Sequence, residues 1–325
     1  MKDQAQMTLH REDNATGLVL YMAMELSEKK WKLAFSDGSF KPNGQLRMYQ
    51  KSIEGNDWVS LAVVLERARG RFKLSGQVPV LSCYEAGQEG FWVHRQLLKL
   101  GVENRVVDSA SIEVNRRHRR VKTDRLDVRK LLKMLVRVGR GESGVWREVR
   151  VPSVQAEDRR RLHRELERLK NEDRQHRTRI RSLLKLHGQR TALVPGGRGW
   201  QAYLDSLKGQ IPPRACSELV RQTARLELVK VQIKALQDEQ KAAIAQASPA
   251  DEVLQKVLAL ALLRGIGLGS AWFLVMEFFG WRDFNNRRQV AGCAGLDPTP
   301  YDSGQSRREQ GISKAGSKRI RWLMV

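Results

Sequence analysis

Two hydrophobic patterns alternate over the first 140 residues of the chain. Short apolar or alternating runs bounded by turn-forming residues predict β-strands, and apolar residues at every third or fourth position predict α-helices. The pattern predicts strands within 17–36 (a pair around a turn at Ser27–Lys30), Gly44–Lys51, Val78–Tyr84 and Asn104–Val107, and helices over Trp58–Arg69, Gly90–Leu100 and Lys122–Val138. Strands that alternate with helices indicate a mixed α/β layer architecture.

The pattern changes after Pro152. Gln155–His187 contains no Gly or Pro and is dense in Arg, Glu and Leu, which predicts one long helix. A heptad pattern follows, with its apolar positions at Leu219, Leu226, Ile233 and at Val229, Leu236, Ala243. This spacing is typical of a coiled-coil seam that would join two copies, and equally of a helical hairpin with Gln155–His187. The rest of the chain, Asp251–Val325, is predicted to be helical.

These patterns predict a disordered tail over residues 1–16, an α/β domain over 17–150, a basic helical or coiled-coil region over 151–250 and a mostly α-helical domain over 251–325. No apolar run reaches 18 residues, which excludes a transmembrane enzyme. The first residues are polar and lack the apolar core of a signal peptide, and three scattered cysteines predict neither a disulfide framework nor a zinc site. We therefore expect a cytoplasmic bacterial protein without a membrane partner.

Positive charge is concentrated in one quarter of the chain. Lys and Arg total 59 against 36 Asp and Glu, a net charge of +23, and residues 114–190 alone hold 25 basic and 10 acidic residues. Arginine forks match the geometry of phosphates, so the expected partner is a nucleic acid; the alternative is a solvated charged helix. The candidate phosphate-binding residues are Arg116, Arg117, Arg119, Arg120, Arg159, Arg160, Arg161, Arg164, Arg307, Arg308 and Lys314.

A glycine-rich turn, RGIGLG at 264–269, joins two apolar helical stretches. Backbone N–H groups of Gly265 and Gly267 could face a phosphate, as in helix–hairpin–helix DNA binders. The alternative is a plain glycine turn that lets two helices pack closely.

Four acids are candidates for one metal site. Asp124 and Asp127 share a helix face, and Glu25 and Glu85 each end a predicted strand, where α/β sheets bind ligands. Oxygen ligands select Mg²⁺ or Mn²⁺ over zinc, and such ions, used in pairs by nucleases and polymerases, clamp a phosphoryl group. Asp108, also at a strand end, is an alternative to one of the four.

Three segments in the same order resemble a known family: CYEAGQEGFWVHRQLL, NRRHRRVKTDRLDVRKLL and RGIG…AGLDPTPYDSGQSRREQGISKAGSKRIR. Together they resemble the DEDD transposases of the insertion-sequence family with a RuvC-like domain, over about residues 18–325. The resemblance implies a RuvC/RNase H-like fold and a recombinase guided by a non-coding RNA that pairs with donor and target DNA. It places the DEDD acids on Glu25, Glu85, Asp124 and Asp127, with Glu25 in place of the usual Asp.

The resemblance also implies a nucleophile, Ser303, that would form a phosphoserine link to DNA. Two alternatives stay open: a RuvC-like nuclease in which Ser303 is structural, and a decayed, non-catalytic copy that only binds nucleic acid. Recombination joins two DNA partners, so we expect a homo-oligomer, a dimer or tetramer, associated with the nucleoid. The family usually extends past Val325, which predicts a truncated C-terminus.

Overall fold

The computed structural model describes residues 17–112, 124–303, 306–314 and 316–324. The chain divides into two compact units, Met1–Val151 and Pro152–Val325. Within the described ranges, no helix is both long and apolar enough to cross a membrane.

The first unit contains a five-stranded mixed sheet. Its elements are β1 (Leu20–Glu25), β2 (Lys30–Ser36), β3 (Tyr49–Glu54), α1 (Trp58–Phe72), β4 (Val80–Glu85), α2 (Trp92–Lys99), β5 (Val102–Val107), a 3₁₀ turn (Ser109–Ser111) and α3 (Asp124–Gly139). The strand order is β3-β2-β1-β4-β5. Strand β2 runs antiparallel to β1 and β3, whereas β4 runs parallel to β1 and β5. The predicted mixed α/β architecture is confirmed.

Helices cover both faces of this sheet. On one face, α1 and α2 bury a core with the even-numbered residues of β1, Leu20, Met22 and Met24. On the other face, α3 packs on the odd-numbered residues Tyr21 and Ala23. The alternation follows from the strand period of two, which sends successive side chains to opposite faces.

Helix α3 runs antiparallel to β1. At its last residue, a Cβ on Gly139 would lie 2.3 Å from Cε1 of Tyr21, so only glycine allows this close approach to the start of β1. At its other end, Val128 lines a groove with Lys32, the register partner of Glu25 at the end of β1. The first turn of α3 therefore lies near the C-terminal end of β1.

The second unit is mostly helical. Its elements are α4 (Val154–Arg159), α5 (Arg161–Leu186), α6 (Trp200–Ser206), α7 (Pro213–Ala245), α8 (Glu252–Ala261), α9 (Leu268–Leu274), a π-helical turn (Val275–Phe279), α10 (Arg287–Ala294), β6 (Pro298–Ser303), β7 (Ser306–Ile312) and α11 (Lys318–Met324). Strands β6 and β7 pair antiparallel in a separate two-stranded sheet.

Helices α5 and α7 form an antiparallel hairpin. Leu219 and Leu226 of the heptad are fully buried, and they pack with Ile180 and Leu184 of α5 and with Trp200 of α6. Of the two interpretations of the heptad, the structure supports the hairpin at these positions.

Three sequence-based boundaries are wrong. The helix predicted over Gln155–His187 is broken at Arg160, whose N–H bonds the Glu157 carbonyl at 3.2 Å, an i→i−3 turn tighter than an α-helix. The last segment is not all helical, because Pro298 and Pro300 cannot continue a helix and β6 and β7 form there instead. Strand β3 starts at Tyr49, since Gly44 is in a turn with φ +73°.

Candidate active site

Two of the four predicted acids lie side by side at the C-terminal ends of two neighbouring strands. Strands β1 and β4 are parallel neighbours in which Met24 pairs with Tyr84, and each strand ends one residue later, at Glu25 and Glu85. Neighbouring strands are about 4.8 Å apart. The odd-numbered Ala23 and Cys83 face α3, so Glu25 and Glu85 extend from the α3 face as well.

The other two acids are in the first turn of α3. Asp124 and Asp127 are at positions one and four of this helix. Because α3 runs antiparallel to β1, its first turn lies at the same end of the sheet as Glu25, the last residue of β1. Their side chains lie outside the part of the chain that the structure describes. The backbone thus gathers all four acids at one end of one face.

Glu25 has a basic neighbour on one side and an acidic neighbour on the other. Its carboxylate oxygen Oε2 is buried, Lys32 is its register partner on β2, and Glu85 ends the strand on the other side. Two carboxylates on adjacent strands repel each other unless a positive charge lies near them.

The donor set is made of oxygen atoms, which suits Mg²⁺ or Mn²⁺. Among the residues whose side chains the structure describes, no group of three or more His, Cys, Asp or Glu is close enough to hold a metal ion. Glu25 and Glu85 are two oxygen donors at adjacent strand ends, and Asp124 and Asp127 are the candidates for the other two. The residues present fit a site for a hard divalent cation.

The alternative acid, Asp108, is occupied by a structural role. Its Oδ1 accepts the N–H of Ala110 at 3.0 Å and so caps the 3₁₀ turn after β5, and its Oδ2 is 3.8 Å from Nε of Arg147. The turn is tied to the end of β4, because the Ser109 hydroxyl donates to the Ala86 carbonyl at 2.8 Å. Asp108 thus helps to fix the loop that follows Glu85.

Ser303 is the last residue of β6, and its register partner across the ribbon is Ser306, the first residue of β7. In the same ribbon, Arg307 pairs with Asp302 and Arg308 with Tyr301. Ser303 is therefore at the end of a two-stranded ribbon that carries two of the predicted phosphate-binding arginines.

The remaining C-terminal candidates are accessible. Arg308 and Lys314 are exposed, and Lys314 has a left-handed backbone with φ +55°. Gly265 has φ +89°, and a Cβ added at Gly265 or Gly267 would contact nothing within 4 Å. Close packing of two helices therefore does not require these glycines, and the positive φ of Gly265 explains that residue through the turn itself.

The arginine candidates around α4 and α5 are mostly engaged within the chain. Arg159 forms a bidentate salt bridge with Asp251, with hydrogen bonds of 2.8 and 2.9 Å. Arg164 forms another with Glu277, with hydrogen bonds of 2.5 and 2.8 Å. Arg160 is buried, with its guanidinium over the Trp281 ring. Arg161 is exposed. Arg116, Arg117, Arg119 and Arg120 lie outside the described residues.

Glu277 is a charged centre that the sequence analysis missed. It is in the π-helical turn, with Nε2 of His163 at 2.8 Å from its Oε1 and Arg160 Nη1 at 3.8 Å from its Oε2. Burial raises the pKa of Glu277, but the hydrogen bonds and charges of His163 and Arg164 outweigh burial and lower the pKa from 4.5 to about 2. The only signal in the sequence is one acid inside the apolar run VMEFF.

Comparison with known proteins identifies the family. Residues 258–325 match the family described as "Transposase IS116/IS110/IS902 family". The chain is also 36% identical over 317 residues to "Putative transposase y4rJ" of Sinorhizobium fredii (strain NBRC 101917 / NGR234), across 94% of this chain and 78% of the relative. The chain belongs to this transposase family. A second relative, "Putative transposase y4qE" of the same strain, is 28% identical over 306 residues, across 94% of this transposase and 70% of that relative.

Family membership gives this transposase DNA as its substrate and DNA recombination as its general reaction. The family match covers β6, β7 and the glycine turn, and the similarity to y4rJ extends over nearly the whole chain.

Proposed function

We propose that this chain cuts and rejoins DNA with Ser303 as the nucleophile and with Glu25, Glu85, Asp124 and Asp127 as the ligands of Mg²⁺ or Mn²⁺. The observation that carries the proposal is the convergence of these acids. Glu25 and Glu85 are the last residues of two adjacent parallel strands, and Asp124 and Asp127 are in the first turn of α3 at the same end of the sheet. The mixed sheet with helices on both faces supports a RuvC-like assignment for the first unit.

The chemistry is a transesterification at phosphorus. The Ser303 oxygen forms a bond to phosphorus as the bond from phosphorus to a sugar oxygen breaks. The serine hydroxyl gives up one proton and the leaving sugar oxygen takes up one, so the number of ester bonds is conserved and rejoining is the reverse step. A bound divalent cation supplies charge stabilisation for the phosphoryl oxygens. The four carboxylates hold the cation, and the arginines of the ribbon, Arg307 and Arg308, hold the strand by its phosphates.

A covalent adduct tests the role of Ser303. We expect labelled DNA carrying the element ends, incubated with the protein, Mg²⁺ and RNA transcribed from the flanking non-coding DNA, to give an adduct that survives denaturation. Ser303→Ala should lose the adduct and keep DNA binding. The matched control is Ser306→Ala, which removes the hydroxyl of the register partner and should keep the adduct. If Ser303→Ala cuts DNA as well as the wild type does, the protein is a metal-dependent nuclease; if neither protein cuts, it is a non-catalytic binder.

Nucleic-acid binding has a second candidate surface on α5. One exposed side of this helix, here called the α5 polar face, contains four basic and four uncharged hydrogen-bonding side chains and no acid: Arg168, Asn171, Arg174, Gln175, Thr178, Arg181, Ser182 and Lys185. It extends over about 26 Å. In contrast to Arg159 and Arg164, none of these four basic residues contacts a carboxylate within the part of the chain that the structure describes. We propose that this face contacts the phosphates of the DNA or of a guide RNA.

Salt dependence tests the α5 polar face. Replacing Arg168, Arg174, Arg181 and Lys185 by Gln should flatten the slope of log K against log salt by about 3 to 4 for duplex DNA, because each phosphate contact contributes about 0.9. The control replaces four exposed basic residues of the first unit, Lys29, Lys41, Arg67 and Lys99, and changes the net charge equally. Equal slopes for both variants would mean that the α5 polar face is only solvated.

A further inference from the structure

A groove lies beside Glu25 on the face of the sheet that carries α3. Helix α3 packs on β1, β2 and β4, whereas β3 is the edge strand beyond it. The space between α3 and β3 has a volume of about 380 Å³, which is within the usual range of ligand sites. We call it the α3–β3 groove. Its described lining residues are Lys32, Leu33, Gln50, Lys51, Ser52 and Val128.

Polar side chains of β2 and β3 are on the groove side of the sheet. Lys32 is on this side because Ala34, two residues further along β2, packs under α3. Ser52 is the register partner of Lys32 on β3, and it therefore shares the same face. Gln50 pairs with Ala34 and is on this face as well. Since no acid lines the described part of the groove, its lining favours an anionic ligand.

Arg129 adds a second cation on the α3 side of the groove. It follows Val128, is half-buried, and its Nε donates to Oε1 of Gln50 at 3.1 Å. Among the residues that the structure describes, Gln50 is its one hydrogen-bond partner. The same bond holds the Gln50 amide, whose Nε2 is buried and has no acceptor in the described ranges. A buried donor without a partner costs about 1–3 kcal/mol, and a small shift of this side chain toward an anionic oxygen in the groove would recover that free energy.

We propose that the α3–β3 groove binds the backbone of the DNA strand that is cut, at a phosphate next to the one that reacts. Lys32 joins the groove to the acid site, because it is also the register partner of Glu25 on β1. A strand whose reacting phosphate lies at Glu25 must continue over a neighbouring surface, and this groove provides one with two cations. Arg129 and Ser52 contact the phosphate, and such contacts position a strand without reading its sequence. The inference rests on the proposed cation site, which fixes where the strand is cut.

Neutral methylphosphonate linkages test the contact one phosphate at a time. Binding of labelled element-end DNA to the protein and its flanking RNA is measured with Ca²⁺ in place of Mg²⁺. A neutral linkage at one of the two phosphates on either side of the cut should weaken wild-type binding by about 10-fold. In Arg129→Gln the same linkage should change binding by less than about 2-fold, because the cation that meets this phosphate is already absent. Arg67→Gln is the control: it removes an exposed cation from α1, on the opposite face of the sheet, and should respond as the wild type does.

A disulfide cross-link tests the location without removing Arg129. DNA with a thiol tethered as a mixed disulfide to a phosphate beside the cut should cross-link to Ser52→Cys. Ser75→Cys is the matched control, because Ser75 is exposed in the loop before β4, at the other end of the sheet. It should cross-link no more than the wild type, with its natural cysteines, does.

Both experiments measure the groove independently of the chemistry. The proposal is overturned if every neutral linkage affects the wild type and Arg129→Gln equally, or if the difference is confined to phosphates farther than two nucleotides from the cut. Equal cross-linking of Ser52→Cys and Ser75→Cys would also overturn it. A failure of the cation site has a different signature, since it would leave cleavage unchanged in a Glu85→Gln variant. A failure of Ser303 as the nucleophile would change neither binding nor cross-linking.

Discussion

Replacing Glu85 by Gln should lower the rate of DNA strand cleavage by about 1,000-fold, equivalent to about 4 kcal/mol of transition-state stabilisation. Gln has nearly the same shape as Glu but no negative charge, so the substitution removes one anionic ligand from the proposed cation site beside Glu25. DNA binding should stay within about twofold, because the proposed phosphate contacts come from the basic surfaces. The measurement compares single-turnover cleavage with equilibrium binding of the same labelled DNA.

Glu103→Gln is the matched control for this prediction. Glu103 is on β5 at the opposite end of the sheet, is exposed, and pairs with Arg105, which keeps Glu148 as a second partner. Cleavage by Glu103→Gln should equal that of the wild type. Normal cleavage by Glu85→Gln would remove Glu85 from the site. Glu25→Asp is the complementary change: it keeps the charge, and activity should persist.

Replacing Glu277 by Gln should destabilise the second unit by about 3 kcal/mol. The substitution leaves Arg160, whose side chain is 8% exposed, with Glu157 as its remaining acidic neighbour, and it replaces the charged hydrogen-bond partner of His163 by a neutral one. For a unit of this size, each kcal/mol corresponds to about 2–4 °C in Tm. Thermal unfolding should therefore show a loss of about 6–12 °C in the transition of this unit.

Glu218→Gln is the control for Glu277→Gln. Glu218 pairs with Arg179 at 2.8 Å, but this arginine is 54% exposed, and an exposed pair contributes about 0–1 kcal/mol. A loss of similar size in both variants would mean that burial of the Glu277 cluster adds nothing.

The lowered pKa of Glu277 also predicts acid sensitivity. Because the folded-state pKa is about 2 and the ordinary value is 4.5, the unfolded state binds the proton more tightly. The stability contributed by the ionised carboxylate is thus complete above about pH 4.5 and is lost as the pH falls toward 2. The Glu277→Gln variant lacks this carboxylate, so its unfolding free energy should fall less steeply over that range.

The sequence predicts the first unit well because its strands have unambiguous patterns. The runs that became β1 and β4 are short, apolar and bounded by polar turns, and the pattern alone could place Glu25 and Glu85 each at the end of a strand. That β1 and β4 are immediate neighbours could not be predicted, because the pairing depends on α3 and α1 covering opposite faces. Strand order is a property of the packed layers.

The second unit is harder to predict, because its arginines can either pair with carboxylates inside the chain or face solvent and phosphate. A run such as Arg159 to Arg164 has the same composition whether its guanidinium groups face solvent, a phosphate or a buried carboxylate. Only the tertiary structure brings Asp251 and Glu277 to these arginines, from 92 and 113 residues away along the chain. Likewise, periodicity alone does not indicate whether the heptad of α7 packs against a second copy or inside the hairpin, where the structure buries Leu219 and Leu226.

The salt bridge between Glu277 and Arg164 in the first turn of α5 has a mechanical consequence. Helix α5 is 26 residues long without interruption, about 39 Å, and it is held at its base by Arg164 while its far end carries the hairpin tip and α6. Its length would therefore amplify a change in the orientation of its base at the hairpin tip. A tilt of about 10° in the segment that contains the π-helical turn would displace the hairpin tip by about 7 Å.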